Sequence, residues 1–241
     1  MLTVRLIVST ILVILTTPSF ATLLFSEYVE GSGYNKALEI FNPGTDIDLA
    51  AESYSIEIYS NGAASASYSF DLSGVMTQNS TLVISHSRAD DLLQAQANLV
   101  TGSLNFNGDD AIVLLRNGEV LDRIGQMGVD PGSEWGSGPV STQNHTLRRQ
   151  MDVLTGDNNA LAAFDPALQW LGYEIDVFDG LGSHAVSLPS RPPVEPVNVA
   201  VPAPASLLLL VIGLLLLGLN RLINNQLYAG SPKIRANTVF A

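Results

Sequence analysis

The sequence predicts an all-β fold in which two antiparallel sheets pack face to face as a β-sandwich. Three observations carry this expectation. Short runs rich in Val, Ile, Leu, Tyr and Phe follow one another between residues 23 and 125, separated by clusters of Gly, Asn, Asp and Ser. Only one stretch has helical spacing. The chain has 241 residues, 46% of them apolar, which suffices for one sizeable core, and it has no cysteine. Burial and backbone pairing must therefore supply the stability that disulfides give many exported domains.

Taken in order, the chain opens with "MLTVRLIVSTILVILTTPSFA", where Arg5 precedes an apolar run over residues 6–15 and Pro18, Ser19 and Ala21 follow. This is the pattern of a cleaved secretory signal, with cleavage expected after Ala21. The run is too short to cross ~30 Å of hydrocarbon at ~1.5 Å per residue. Next come the strand candidates "LLFSEYVEG", "KALEIFN", "YSIEIYSNG", "SYSFDLSG", "STLVISHS", "AIVLLRNG" and "EVLDRIG". In "YSIEIYS", Tyr54, Ile56, Ile58 and Ser60 share one face, and Ser55, Glu57 and Tyr59 the other. Asn117-Gly118 supplies the left-handed pair of a tight hairpin. The segment "RADDLLQAQANLV" is expected to be helical, with Ser87 as its cap and Leu92, Leu93 and Ala97 on one side.

The sandwich domain is expected over residues 22–187. A proline-rich spacer follows over residues 188–200, with six prolines between Pro189 and Pro204 favouring an extended chain. Residues 201–222, "VPAPASLLLLVIGLLLLGLNRL", are apolar on every side and long enough for a transmembrane helix. Pro202 and Pro204 are tolerated where a helix begins. Arg221, Lys233 and Arg235 place the short tail, residues 223–241, in the cytoplasm and the domain outside.

Two resemblances add to this reading. The segments "FSEYVEGSGYNKALEIFNPGTDIDL", "YSIEIYSNG" and "NFNGDDAIVLLRNGEVLDRIGQMGVDPGSEWG" resemble the lamin-tail domain, over roughly residues 22–135. "TLRRQMDVLTGDNNALAAFDPALQW" and "FDGLGSH" are similar to its bacterial versions, some of which are attached to secreted nucleases. The resemblance implies an immunoglobulin-like sandwich that is non-catalytic, the nuclease chemistry belonging to a separate domain. Where the family usually has Asp-Leu-Ser-Gly-Tyr, this chain has Asp48-Leu49-Ala50-Ala51-Glu52-Ser53-Tyr54. The carboxy-terminal run resembles the PEP-CTERM sorting signal of Gram-negative bacteria, which implies an exosortase as partner. Its sorting motif corresponds to Pro202, Ala203, Pro204 and Arg221, although the usual glutamate is absent and the tail is longer. Retention as a plain single-span anchor is the alternative.

Charge and motif content bound the function. Residues 22–190 carry 22 acidic against 6 basic side chains, and Arg148-Arg149 is the only adjacent basic pair. Such a surface repels phosphates, which excludes direct nucleic-acid binding. The acidic loops offer candidate Ca²⁺ ligands in Asp109, Asp110 and Asp130, with Asp46, Asp48 and Glu134 beside them, but no full calcium-loop spacing. Turn capping is the preferred account of these residues. His86, His145 and His184 lack metal-ligand spacing, and Ser85-His86-Ser87 with Asp90 lacks a nucleophile elbow. No cofactor is expected. Trp135, Trp170 and Tyr173, with Tyr34 and Tyr68, are candidates for an aromatic platform, core packing being the expectation for the two tryptophans. The function expected is a non-catalytic surface module for adhesion, matrix assembly or scaffolding, whose partner is a surface protein or polysaccharide. A calcium-dependent accessory to a secreted nuclease or hydrolase, or a carbohydrate-binding module, is the alternative.

Overall fold

A computed structural model describes residues 22–187, together with residues 214–217, Leu219 and Arg221. The chain divides between Pro189 and Ser190 into two compact units. In the second, the described residues are helical and exposed. The signal segment, the spacer, the motif Pro202-Ala203-Pro204 and most of the 201–222 span lie outside the described residues. Among the described residues, no helix is long and apolar enough to cross a membrane.

The first unit is a two-sheet β-sandwich. Its strands are β1 (Leu24–Glu30), β2 (Lys36–Phe41), β3 (Ile47–Asp48), β4 (Tyr54–Tyr59), β5 (Tyr68–Asp71), β6 (Val75–Met76), β7 (Thr81–His86), β8 (Leu99–Thr101), β9 (Ala111–Arg116), β10 (Glu119–Ile124), β11 (Gly136–Ser137), β12 (Val140–Ser141), β13 (Thr146–Arg149) and β14 (Trp170–Tyr173). One sheet has the order β14-β13-β1-β2-β7-β8, and the other β10-β9-β4-β5. Two short ribbons, β3-β6 and β11-β12, close the ends. All pairs are antiparallel except β7 with β8.

Alternation decides which face each strand buries. Phe25, Tyr28, Leu38, Ile40, Ile84 and Leu147 of the larger sheet meet Tyr54, Ile56, Ile58, Ile112 and Leu114 of the smaller one in the main core. Removing this much apolar surface from water at ~25 cal/mol per Å² is what holds the sheets together. The hairpin turn between β9 and β10 forms as its sequence requires, with Asn117 at φ 52° and Gly118 at φ 81°.

At the Asp48–Tyr54 corner, the Tyr54 N–H donates to Leu49 O at 2.9 Å, and Ser53 takes φ 52°. Serine thus occupies the left-handed position just before the tyrosine, where the lamin-tail pattern usually has glycine. The helix is shorter than its spacing predicts: α1 spans only Asp91–Gln94, and its N-cap position is Asp90, not Ser87. Leu93 is buried while Leu92 is 79% exposed. The Ser87 N–H instead pairs with Thr101 O at 3.0 Å, as part of the β7–β8 connection.

Both long strands at one corner carry β-bulges, between Phe25 and Glu27 in β1 and between Val120 and Asp122 in β10. A bulge breaks the ladder locally and re-aims side chains. Here it brings Asp122 of the smaller sheet against the backbone of Phe25 in the larger.

Candidate functional site

Much of the outer face of the larger sheet is covered. After β14 the chain returns across it as a strap, residues 174–187, without regular secondary structure. Phe178 and Leu181 pack on Val29, Ala37 and Val83 with Ala89 and Leu93, forming a second small core. Asp176 accepts from the Ser32 N–H at 2.9 Å and from Asn35 Nδ2 at 3.0 Å. The Gly182 N–H donates to Glu39 Oε2 at 2.6 Å. Further on, the Ser187 N–H donates to Met151 O at 2.7 Å.

Beneath this strap lies a charged cluster on β1, β2 and β13. Glu27 stands opposite Glu39 across β1–β2 and opposite Arg148 across β1–β13. Arg148 Nε donates to Glu27 Oε2 at 3.1 Å, and its Nη2 pairs with Asp179 of the strap. Glu27 is 2% exposed, and its Oε1 has no hydrogen-bond partner. Burial pushes its carboxyl up to about 8, against the opposing pull of Arg148, and the nearby Glu39 adds to the rise. Burial also raises Glu39, partly offset by its bond from Ser26 Oγ at 2.6 Å and by Gly182. The strap contributes His184, whose ring meets Phe41 edge-on at 4.9 Å and whose Nε2 is buried without a partner. Burial lowers its pKa, with Arg149 adding to the effect, so the imidazole is neutral at physiological pH.

These groups border a cavity of about 340 Å³ between the strap and the β13–β14 edge. Glu27 and Arg148 of the sheet and His184 of the strap line it, and the more exposed Met151 and Leu171, with Tyr173, form its mouth. The Arg148 guanidinium lies 4.2 Å from the Tyr173 ring centroid.

The acidic loops that suggest calcium are occupied by turn bonds. Asp110 accepts from the Asn61 N–H and the Asn107 N–H, both at 3.0 Å. Asp130 accepts from the Gly132 N–H at 2.7 Å, Asp48 from Ala50 and Ala51 at 3.1 Å, and Asp46 from the Gln78 N–H at 2.9 Å. Asp109 is buried with Oδ1 unpartnered, and burial raises its pKa. Among the described residues, no three or more His, Asp or Glu side chains are grouped to hold a metal ion.

The remaining candidates are dispersed. His86 accepts from the Arg88 N–H and stacks on Tyr34, whose other neighbour is the Arg88 guanidinium at 3.5 Å. His145 sits 3.1 Å from Ser141 Oγ. Trp135 and Trp170 are buried, the first donating to Asp110 O at 3.3 Å and the second lying 4.0 Å under the Arg149 guanidinium. They form no surface platform. Tyr68 accepts from Asn105 at the opposite sheet edge, and only Tyr173 of the aromatic candidates borders the cavity. Arg221 is helical and exposed, while Pro202, Ala203 and Pro204 lie outside the described residues.

Fold and site together define an all-β sandwich module with a strap-covered outer face. Residues 16–128 match the Lamin Tail Domain family, a family of non-catalytic immunoglobulin-like domains, over just under half of the chain. The matched segment ends soon after β10, so β13, β14 and the strap, which complete the larger sheet and the cavity, lie beyond it. Comparison with curated proteins and with solved structures gave no match.

Proposed function

We propose that the chain is an exported, non-catalytic surface module, held at the membrane by its carboxy-terminal apolar segment and working in adhesion, matrix assembly or scaffolding. The observation that carries this reading is the order of parts. A signal-like segment precedes residue 22, a self-contained sandwich occupies residues 22–187, and a proline-rich stretch leads into an apolar run with basic residues after it. The lamin-tail match and the scattered histidines favour binding over chemistry.

Two fates of the apolar run agree with this function. An exosortase would remove it near Pro202-Ala203-Pro204, whereas a plain anchor would keep it. Deleting residues 207–219 and fractionating the cells tests the shared claim, because either fate requires the run. Release of the domain from the membrane is expected, and a deletion product that stays membrane-bound would contradict the proposal. An epitope after Ala241 separates the fates: a tag lost from the mature domain marks sorting, and a tag retained marks anchoring.

A further inference from the structure

The cavity beneath the strap contains more unused hydrogen-bonding capacity than a structural contact needs. Glu27 Oε1 and His184 Nε2 are both buried without partners. A buried polar atom without a partner is destabilising, and both of these belong to residues that line one cavity, covered there by the strap. The mouth is apolar, with Leu171 48% and Met151 53% exposed beside Tyr173. At about 340 Å³, the space falls in the ~300–1,000 Å³ range of small-molecule sites.

We propose that this cavity binds one neutral, hydroxyl-rich ring, a sugar unit of a surface polysaccharide, with its C–H face on Leu171 and Met151 and its hydroxyls on Glu27, Arg148 and His184. The proposal rests on the reading of the chain as an exported binding module. Charge selects the class of ligand. With Glu27 held largely protonated by burial, the charges that line the cavity are the guanidiniums of Arg148 and Arg149. Each is already balanced by a carboxylate, Arg148 by Asp179 and Arg149 by Asp122, so a charged ligand would have to break an ion pair to be recognised. What remains unfilled are individual donor and acceptor positions, which hydroxyl groups serve without bringing net charge.

The strap is suited to admit such a ring. It has no backbone ladder to the sheet, and Ser183 and Ala185 at the cavity wall are exposed. Gly180 lies directly on the Glu27–Arg148 pair, where a Cβ would overlap Arg148 Nε and Glu27 Oε2. The strap closes there only because the residue has no side chain. With its carboxyl raised to about 8, Glu27 is mostly protonated near neutrality and offers a donor as well as an acceptor.

The test uses the full chain in mild detergent, titrated with the methyl glycosides of glucose, galactose, mannose and N-acetylglucosamine. Saturation-transfer NMR and tryptophan fluorescence report binding. Saturable binding of at least one glycoside is expected, with Kd on the order of 1 mM. Leu171→Ala and Glu27→Ala should each weaken it about tenfold, the loss of one apolar contact or one hydrogen bond to a buried group. Leu92→Ala, on the exposed side of α1, should leave it unchanged. Leu171 is half exposed, so its variant folds whatever becomes of the Glu27 variant. No saturable binding up to about 50 mM, or an affinity that either variant leaves within about threefold, overturns the proposal. A chain that is displayed at the surface but binds no glycoside refutes this site alone, whereas a chain that never leaves the cytoplasm refutes the module reading.

Discussion

Arg149 and Asp122 form an ion pair that joins the two sheets with neither side chain exposed to solvent. Asp122 Oδ2 also accepts the Phe25 N–H at 2.8 Å, Oδ1 accepts the Asp157 N–H at 2.8 Å, and Arg149 Nε donates to Phe25 O at 2.9 Å. Phe25 pairs with Ile40 of β2 on one side, and on the other the two side chains take the place of a β13 partner, at the corner where both bulges interrupt the ladders. Breaking a buried pair by removing one member leaves an uncompensated charge and typically costs ~3–5 kcal/mol. Asp122→Asn or Arg149→Met should each lower the free energy of unfolding measured in urea by that order. The double variant should cost clearly less than the two singles combined, which a double-mutant cycle measures directly.

Glu27 makes stability depend on pH in an unusual direction. Its carboxyl is raised from 4.5 to about 8, so between those values the folded state holds a proton that the unfolded chain has released. Its contribution is fully present below pH 4.5 and is lost as pH rises through about 8. Arg148, Glu39 and Asp179 are the charged groups around it. At one pKa unit per ~1.4 kcal/mol, the change amounts to a few kcal/mol. Denaturant melts between pH 5 and 8.5 should show wild type losing stability, and Glu27→Gln should flatten that slope because its amide stays neutral throughout.

Ser53 holds a left-handed conformation that costs an L-residue roughly 1–2 kcal/mol and glycine almost nothing. Ser53→Gly gives back part of that gain through a more flexible unfolded chain. A net stabilisation of about 0.5–1 kcal/mol is expected, read as a rise in Tm of a few degrees. An unchanged or lower Tm would show that the corner does not hold this strain.

Calcium should leave the melting temperature unchanged. Asp110 and Asp130 already accept backbone N–H groups at 2.7–3.0 Å, so a metal would have to displace turn bonds to reach them. A ligand that binds only the native state at 100 times its Kd stabilises it by ~2.7 kcal/mol, which calorimetry would detect. A calcium-dependent rise abolished in the Asp109→Asn, Asp110→Asn double variant would establish a metal site.

The sandwich was legible because its signals are local. The alternation in Tyr54–Tyr59 states which side chains face inward, and Asn117-Gly118 states the turn. The cavity was not legible, because period-two spacing assigns a residue to a face without saying what covers that face. Glu27 and Glu39 stand opposite each other on the outer face of β1 and β2. They are buried because the strap folds back over them, Gly182 bonding Glu39 from 143 residues away in the sequence. The visible hint was two glutamates in paired strands with Arg148 in a third. The helix is shorter than its spacing predicts for the converse reason: Leu93 and Ala97 have helical spacing, but the chain is needed as β8 only a few residues later.

The central claim, that the sandwich is displayed outside the membrane, is tested most directly by protease accessibility. Spheroplasts of cells producing the chain, with one epitope in the β9–β10 turn at Asn117-Gly118 and another after Ala241, are treated with protease before and after lysis. The account predicts that the turn epitope is lost from unlysed spheroplasts, and that any carboxy-terminal epitope present survives until lysis. A turn epitope that resists protease until the membrane is opened would contradict it.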